Sequence, residues 1–566
     1  LLFMFCELIS QAFCQMTSHH HRRLIPEYSA PRPLNSVVMT LPSAMSGVEK
    51  QTVLMLTRQA LMLIRQSMTY STDASGRRTV ADYWRKMPGV RADVDEASCG
   101  QLTWLYQQLY GSCTGGDPCT RLLRRWQRPD HNFPAHGLRI ALIDIGGGTT
   151  DVSVTDYLPV ATTPLAPGVL RPGLLYRTGY ALAGEDLRYG LMRFVLLRAL
   201  EGHLTQQGFE RGSAILRQLF APGASCEGGT PWRQQFSRQF CRPLAISLLT
   251  FSQQAVCDGQ DQVATQRTAR DWLPAIPEDQ VMYYFALRVA EISGVGTECQ
   301  LLTMPLPVTR EEIDDFFASG HFRAGKLLQT IGDNVTRRRP EVLLISGKSA
   351  TLPAVRRLLT RHSDLPASHI IALGGMTASE SIPFCREGVL SDGKCSAVTG
   401  ALIHQLTRSQ RLYPRYLLAG ELRPANIICE LGRLTADLSL PASQVVLQSP
   451  AIIAAGASFS FSVFLQYRLS LGYRTSQDDQ LPASPLFTLF IDPEQRAGQE
   501  CDDGVTVSLC WQADNDGQFS VLPVVTQVTD RQQNPLPTQW VSIRLNSLAT
   551  HGEQFPAYWT DDGRIA

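Results

Sequence analysis

Apolar positions recur along this 566-residue chain with two periods, and each period marks a different backbone. Leu1 to Met16 has helical spacing interrupted by Glu7, Gln11 and Gln15, which predicts an amphipathic helix. His19 to Pro33 is polar and reads as a loop, with the His19-His20-His21-Arg22-Arg23 run solvated on it. Ser36 to Leu41 predicts a buried strand. Ser46-Gly-Val-Glu49 is a capping box opening a helix whose inner face takes Val53, Leu56, Ala60, Leu63 and Ile64. From Leu138 strands and helices alternate: Leu138 to Ile145 is a strand, three glycines follow, and Asp151 to Tyr157 alternates with period two. Glu341 to Ile345 predicts another buried strand, Ser346 to Thr351 a turn, Pro353 to Leu359 a helix and Ser396 to Leu406 a closing helix. Such mixing predicts an α/β architecture. Beyond about Tyr413 the helical period disappears and Phe459, Phe461, Val463, Leu465, Tyr467 and Leu469 alternate, as do Val505, Val507, Leu509 and Trp511, so the tail reads as a separate β-rich domain. Its Asp514-Asn-Asp-Gly517 lacks the first and last carboxylates of a calcium loop and reads as a hairpin turn.

The strongest chemical signal is Asp144-Ile-Gly146-Gly147-Gly148-Thr149-Thr150-Asp151. A dinucleotide fingerprint places a helix after its glycines, whereas a strand follows here, so the motif is a β-hairpin. Glycines without Cβ let such a turn press its N–H groups against phosphate oxygens, and flanking carboxylates can hold hydrated Mg²⁺ or orient water. A plain glycine-rich hairpin is the alternative; aspartates on both sides and hydroxyls after the turn favour phosphate. Gly347-Lys348-Ser349 is no P-loop, because Val342 stands where that loop needs its first glycine.

Composition narrows the partners. With 52 basic against 51 acidic side chains the net charge is +1, which leaves no bulk positive field for gripping nucleic acid. Only Lys50, Lys86, Lys326, Lys348 and Lys394 are lysines. Fourteen cysteines include no CxxC pair, so structural zinc is not indicated and they read as small core groups. Leu1 to Met16 lacks a basic leader region and is neither a signal peptide nor a membrane span. The chain starts Leu1-Leu2 in mid-pattern without a methionine, which reads as the remainder of a longer protein.

The hairpin resembles the second phosphate hairpin of the superfamily of actin, sugar kinases and DnaK-type chaperones. Carried over by that resemblance, Asp144 holds Mg²⁺ through water, Gly146, Gly147 and Gly148 clamp phosphate, the Thr149 hydroxyl lies near the γ-phosphate and Asp151 orients the attacking water. Val94-Asp95-Glu96-Ala97-Ser98 resembles the first connecting motif, with Glu96 helping to order water and metal. Gly184-Glu185-Asp186-Leu187 resembles the turn after the hairpin, and Ser346-Gly347-Lys348-Ser349, ahead of Leu352-Pro353, the adenosine motif, with Lys348 in place of a second glycine. Ser391 to Ala401 resembles the second connecting helix, whose small residues let two lobes cross closely. The ordered set from Leu1 to about Leu406, including Val37-Val-Met-Thr-Leu-Pro-Ser-Ala-Met45, is also similar to bacterial SrfB-type virulence factors.

These resemblances imply a two-lobe, actin/DnaK-like (ribonuclease H-like) ATPase core lacking its first strands. Residues 1–137 would be the remainder of lobe I. Residues 138–407 would be lobe II, with an inserted subdomain at about 202–307 and a return helix at 396–406, and 413–566 the β-rich domain. They imply ATP and Mg²⁺ as cofactors, a cytoplasmic chaperone-like role that includes ATP hydrolysis if the chain is complete, and client or companion virulence proteins as partners. The phosphate-contacting lysine of the chaperones has no counterpart, since Lys50 and Lys86 fall on segments whose counterparts do not touch nucleotide. A non-catalytic interaction protein using the same fold as a scaffold is the alternative. Arg233, Arg238 and Arg242 of the insertion either stack on adenine or solvate a helix, and solvation is the simpler reading.

Overall fold

In the computed structural model the residues described are 1–24, 33–43, 45, 47–68, 71–72, 78–79, 86–110, 117–128, 137–160, 169–180, 183–220, 230–253, 266–295, 299–319, 323–378, 385–390, 393–412, 416–417, 430–435, 439–448, 458–474, 483–491, 504–512 and 522–545. They form a mixed α/β protein with several sheets. Among the described residues no helix is long and apolar enough to cross a membrane.

Helix α1 (Leu2–Thr17) packs on α2 (Gly47–Met68), burying Ile9, Phe13, Ala60, Leu61 and Ile64 over β1 (Ser36–Leu41) and β2 (Gly89–Asp95), which pair in parallel. Leu61 takes the inward position expected of Leu63, which is exposed. The histidine run lies on a short helix, His19–Leu24, rather than a loop, with all three histidines exposed as expected. Ser46, and with it the capping box, lies outside the described residues, as do Asp514 to Gly517.

The central sheet has five strands. β3 (Leu138–Ile145) and β4 (Thr150–Val160) form the glycine hairpin, and β5 (Val169–Tyr180) continues it in antiparallel fashion. On the other side of β3, β6 (Val342–Ser346) and β7 (Ile370–Ala372) add in parallel, giving the order β5-β4-β3-β6-β7. Alternation divides β3 cleanly. Ala141, Ile143 and Ile145 face a large core shared with the helices between β5 and β6, where Phe209, Phe220, Phe236, Phe240 and Phe285 are buried. Leu138, Ile140 and Leu142 face a second core, covered by α3 (Glu96–Tyr110) and α4 (Lys394–Arg408).

Helices α3 and α4 cross at Gly400. A Cβ there would lie 2.7 Å from Cys99 Cα and closer still to the Cys99 carbonyl, so only glycine permits this approach. The Thr103 hydroxyl ties the pair by donating to the Ser396 carbonyl (2.6 Å). Beneath the helices Gln101 is buried and bonded throughout: its amide nitrogen donates to Ile140 O (3.2 Å), Ser153 O (3.2 Å) and Ser153 Oγ (2.9 Å), and its oxygen accepts from the Tyr157 hydroxyl (3.0 Å).

From Glu430 onward two antiparallel sheets stack. The first runs Val445–Gln448, Glu430–Arg433, Arg468–Arg474, Ser484–Ile491, Val541–Leu545 and the second Ser458–Leu465, Val505–Gln512, Val524–Thr529, Pro535–Leu536. Val463, Leu465, Leu471, Phe487, Leu489, Val507, Leu509 and Trp511 fill the space between them, as the period-two pattern predicts. Glu430 and Arg474 form a buried ion pair here (Nε to Oε2, 2.9 Å).

Candidate functional site

The hairpin turn is closed by the Gly146 N–H donating to Thr149 O (2.9 Å), which sets Ile145 opposite Thr150 and Asp144 opposite Asp151. Asp144 also faces Ser346 across the parallel pair, so Ser346, Asp144 and Asp151 make one row at the carboxyl end of β3 and β6. In α/β sheets that edge is where ligands bind. Period two puts Asp144 on the same face as Leu138, Ile140 and Leu142, under α3 and α4, which begin at Glu96 and Lys394. Two helix N-termini, with their unpaired N–H groups and positive dipole ends, thus border the aspartate row.

The turns converge as well. The N–H groups of Gly184 and Glu185 donate to the carbonyls of Gly146 (3.0 Å) and Gly147 (2.9 Å), tying the helix Gly184–Leu191 to the turn. A Cβ at Gly184 would lie 2.6 Å from Ser349 Oγ, so this backbone sits against both loops. Gly347 has φ +87°, and a Cβ there would come within 2.8 Å of Asp144 Oδ1. That explains a glycine between β6 and the 3₁₀ turn Lys348–Thr351. Ser346 Oγ bonds Ser396 Oγ (3.0 Å) and the Gly393 carbonyl (3.3 Å), anchoring the start of α4. Every residue singled out from the sequence thus lies on an element that borders one pocket. Gly147 and Lys348 are exposed, Ser349 is half-buried, and Ser346 and Gly347 are buried.

The carboxylates differ in how they are compensated. Asp95 accepts from Ser98 N and Oγ (2.8 Å each) and pairs with Arg177 (2.9 Å), both side chains buried. Asp151 accepts from the Thr149 hydroxyl (2.9 Å). Asp144, only 7% exposed, accepts no hydrogen bond from a described residue. Burial, then the neighbouring Asp151 charge, push its pKa up to about 7, with Lys394 pulling the other way. Glu96, half-buried, is pushed up to about 9 by desolvation, then by Asp151, Asp144 and Asp95, again opposed by Lys394. Like charges directly opposite each other on a sheet destabilise it, so this arrangement favours an added positive charge.

Three basic groups at the pocket carry no motif. Lys50, on the first turn of α2, feels both Asp95 and Asp151, while desolvation and Arg177 bring its pKa down to about 8. Its segment was expected to stay away from the site. Arg177 and Lys394 complete the set. The insertion also departs from expectation: Arg233 is buried rather than solvated, Arg238 is exposed, and Arg242 stands 3.7 Å from Glu185. Among the described residues no three Asp, Glu, His or Cys side chains are grouped to ligate a metal directly.

Fold and pocket together define a mixed α/β protein in which a glycine hairpin, a second glycine turn and two helix N-termini enclose a row of under-compensated carboxylates. The chain belongs to the family described as virulence factor SrfB, whose model matches residues 1–566. No curated protein matches it.

Proposed function

We propose that this protein binds ATP with Mg²⁺ in an actin/DnaK-like (ribonuclease H-like) core and, when complete, hydrolyses it. The observation that carries the proposal is the buried row of Asp144 and Asp151 beneath the glycine turn, with Asp144 lacking a hydrogen bond from any described residue. The close crossing of α3 and α4 at Gly400 supports reading them as the two connecting helices. On this reading residues 1–137 belong to the first lobe, 138–407 to the second with its insertion at about 202–307, and 413–566 to a tail that responds to nucleotide state. A cytoplasmic location and client or companion virulence proteins as partners belong to the same proposal.

The residues fit the cofactors. Because no three carboxylates are grouped for direct ligation, Asp144 would hold Mg²⁺ through its waters. Bound there, the metal would neutralise charge on the phosphate oxygens. The Gly146 N–H is committed to the turn, so the phosphate clamp falls to the N–H groups of Gly147 and Gly148. Asp151, with Thr149 bonded to it, is placed to orient the attacking water. Glu96 carries a proton at neutral pH in the cation-free pocket and would give it up as positive charge enters. Gly184 and the Ser346–Ser349 turn would line the nucleoside side, with exposed Lys348 at its rim.

Calorimetry and a phosphate-release assay on a full-length version test this. Asp144→Asn combined with Asp151→Asn should abolish Mg-dependent ATP binding and turnover; unchanged binding would show the site assignment to be wrong. Tight ATP binding without turnover would favour the scaffold alternative, for which Lys348 in the adenosine turn is the supporting feature.

A further inference from the structure

Lysine is scarce in this chain. Five of the 52 basic residues are lysines, the rest arginines, yet Lys50, Lys348 and Lys394 all lie on elements bordering the pocket. A lysine ammonium is a compact point charge with three rotatable donors, suited to a phosphate oxygen, whereas a guanidinium brings a planar fork that needs more room. The sequence led us to expect the phosphate-contacting lysine outside this chain.

Lys394 is the first residue of the 15-residue helix α4. The preceding Gly393 is pressed so closely on the second glycine turn that a Cβ there would lie 3.2 Å from both N and O of Gly347, and Gly347 in turn touches Asp144. The Ser346 hydroxyl fixes this junction through Ser396 and the Gly393 carbonyl. Buried Asp144, with no hydrogen-bond donor among the described residues, independently marks the adjoining space as one built for a ligand. Lys394 is exposed, so its ammonium can reach into that space without a desolvation cost. Its charge already acts on Asp144 and Glu96.

We propose that Lys394 is the residue of this chain that pairs with the terminal phosphate of bound ATP, an inference that rests on the ATP reading above. Lys50, on the Asp95 and Asp151 side, balances carboxylates instead of phosphate. α4 would then contribute both its N-terminal dipole and a mobile cation to the same oxygens.

The experiment compares wild type, Lys394→Gln, Lys394→Arg and Lys326→Gln, measuring MgATP and MgADP affinity by calorimetry. Lys326 is exposed on the helix Arg323–Thr336 and serves as a charge-matched control. Loss of one charge-assisted contact should weaken ATP binding of Lys394→Gln by about 10- to 100-fold. ADP affinity should change less than about threefold, Lys394→Arg should recover part of the loss, and Lys326→Gln should match wild type. Equal ATP affinity of Lys394→Gln and wild type overturns this inference alone. Equal losses for ATP and ADP overturn it as well, since the residue would then act on the whole pocket. Failure of wild type to bind either nucleotide overturns both this inference and the ATP reading. Melting temperatures of the variants, expected to match wild type, separate misfolding from lost contact.

Discussion

Replacing Gly400 by alanine asks whether two helix backbones really touch. In an ordinary helix this change stabilises by about 1 kcal/mol, because glycine loses more backbone freedom on folding. Here the added Cβ would sit 2.7 Å from Cys99 Cα, whereas ordinary van der Waals contact begins at 3.4 Å, so α4 must retreat by at least 0.7 Å (3.4 less 2.7). The obstacle is backbone, which no rotamer change can move aside. Retreat would stretch the Ser346–Ser396 bond from 3.0 Å to about 3.7 Å, past useful length, at a cost of about 1 kcal/mol. Overpacking adds about 1–3 kcal/mol. Against the propensity gain, the net expectation is a loss of about 2 kcal/mol, read from urea unfolding at constant m-value. Gly202→Ala is the control, since nothing lies within 4 Å of its Cβ position, and it should stabilise by about 0.5–1 kcal/mol. Gly400→Ala as stable as Gly202→Ala would refute the crossing.

Asp144 links stability to pH. Its folded pKa of about 7 exceeds the ordinary 3.8, so its favourable contribution is fully present below about pH 4 and is lost as pH rises through 7. In metal-free buffer Asp144→Asn should therefore stabilise increasingly from pH 4 to 8, by on the order of 2–4 kcal/mol at the top of that range, and melts that show a loss growing with pH would contradict it. Mg²⁺ should raise the wild-type melting temperature at pH 8 and do little for that variant, as differential scanning fluorimetry can show. In the tail, Arg474→Met leaves Glu430 buried beside Gln448 alone (3.2 Å) and should cost about 3–5 kcal/mol in denaturant unfolding. Adding Glu430→Gln should recover most of that loss.

Legibility in the sequence followed how local each feature is. The glycine hairpin, the β6 strand with its turn, and the alternating tail are encoded within ten residues and could be placed from pattern alone. Asp144 and Asp151 could be paired across the hairpin because a tight turn fixes register. Lys50 could not be placed at the site: its address depends on how α2 docks against β2, and a lysine near a helix start ordinarily reads as solvated. Arg177 occupies an alternating position of β5 that looks solvent-facing until Asp95 arrives from another segment. Arg233 misled for the converse reason, since its helix is enclosed by neighbours far away in sequence. The histidine run shows that composition can give exposure correctly and backbone wrongly.

Gln101 has a quieter consequence. Five residues separate it from Glu96, about 7.5 Å along the helix axis, and its amide is locked to β3 and β4 at both ends. It therefore acts as a depth gauge, seating α3 at one height on the sheet and so fixing how far the Glu96 carboxyl stands from the aspartate row. Acidic groups that repel one another would drift apart if their support allowed it; this amide, out of reach of any ligand, denies them the slack.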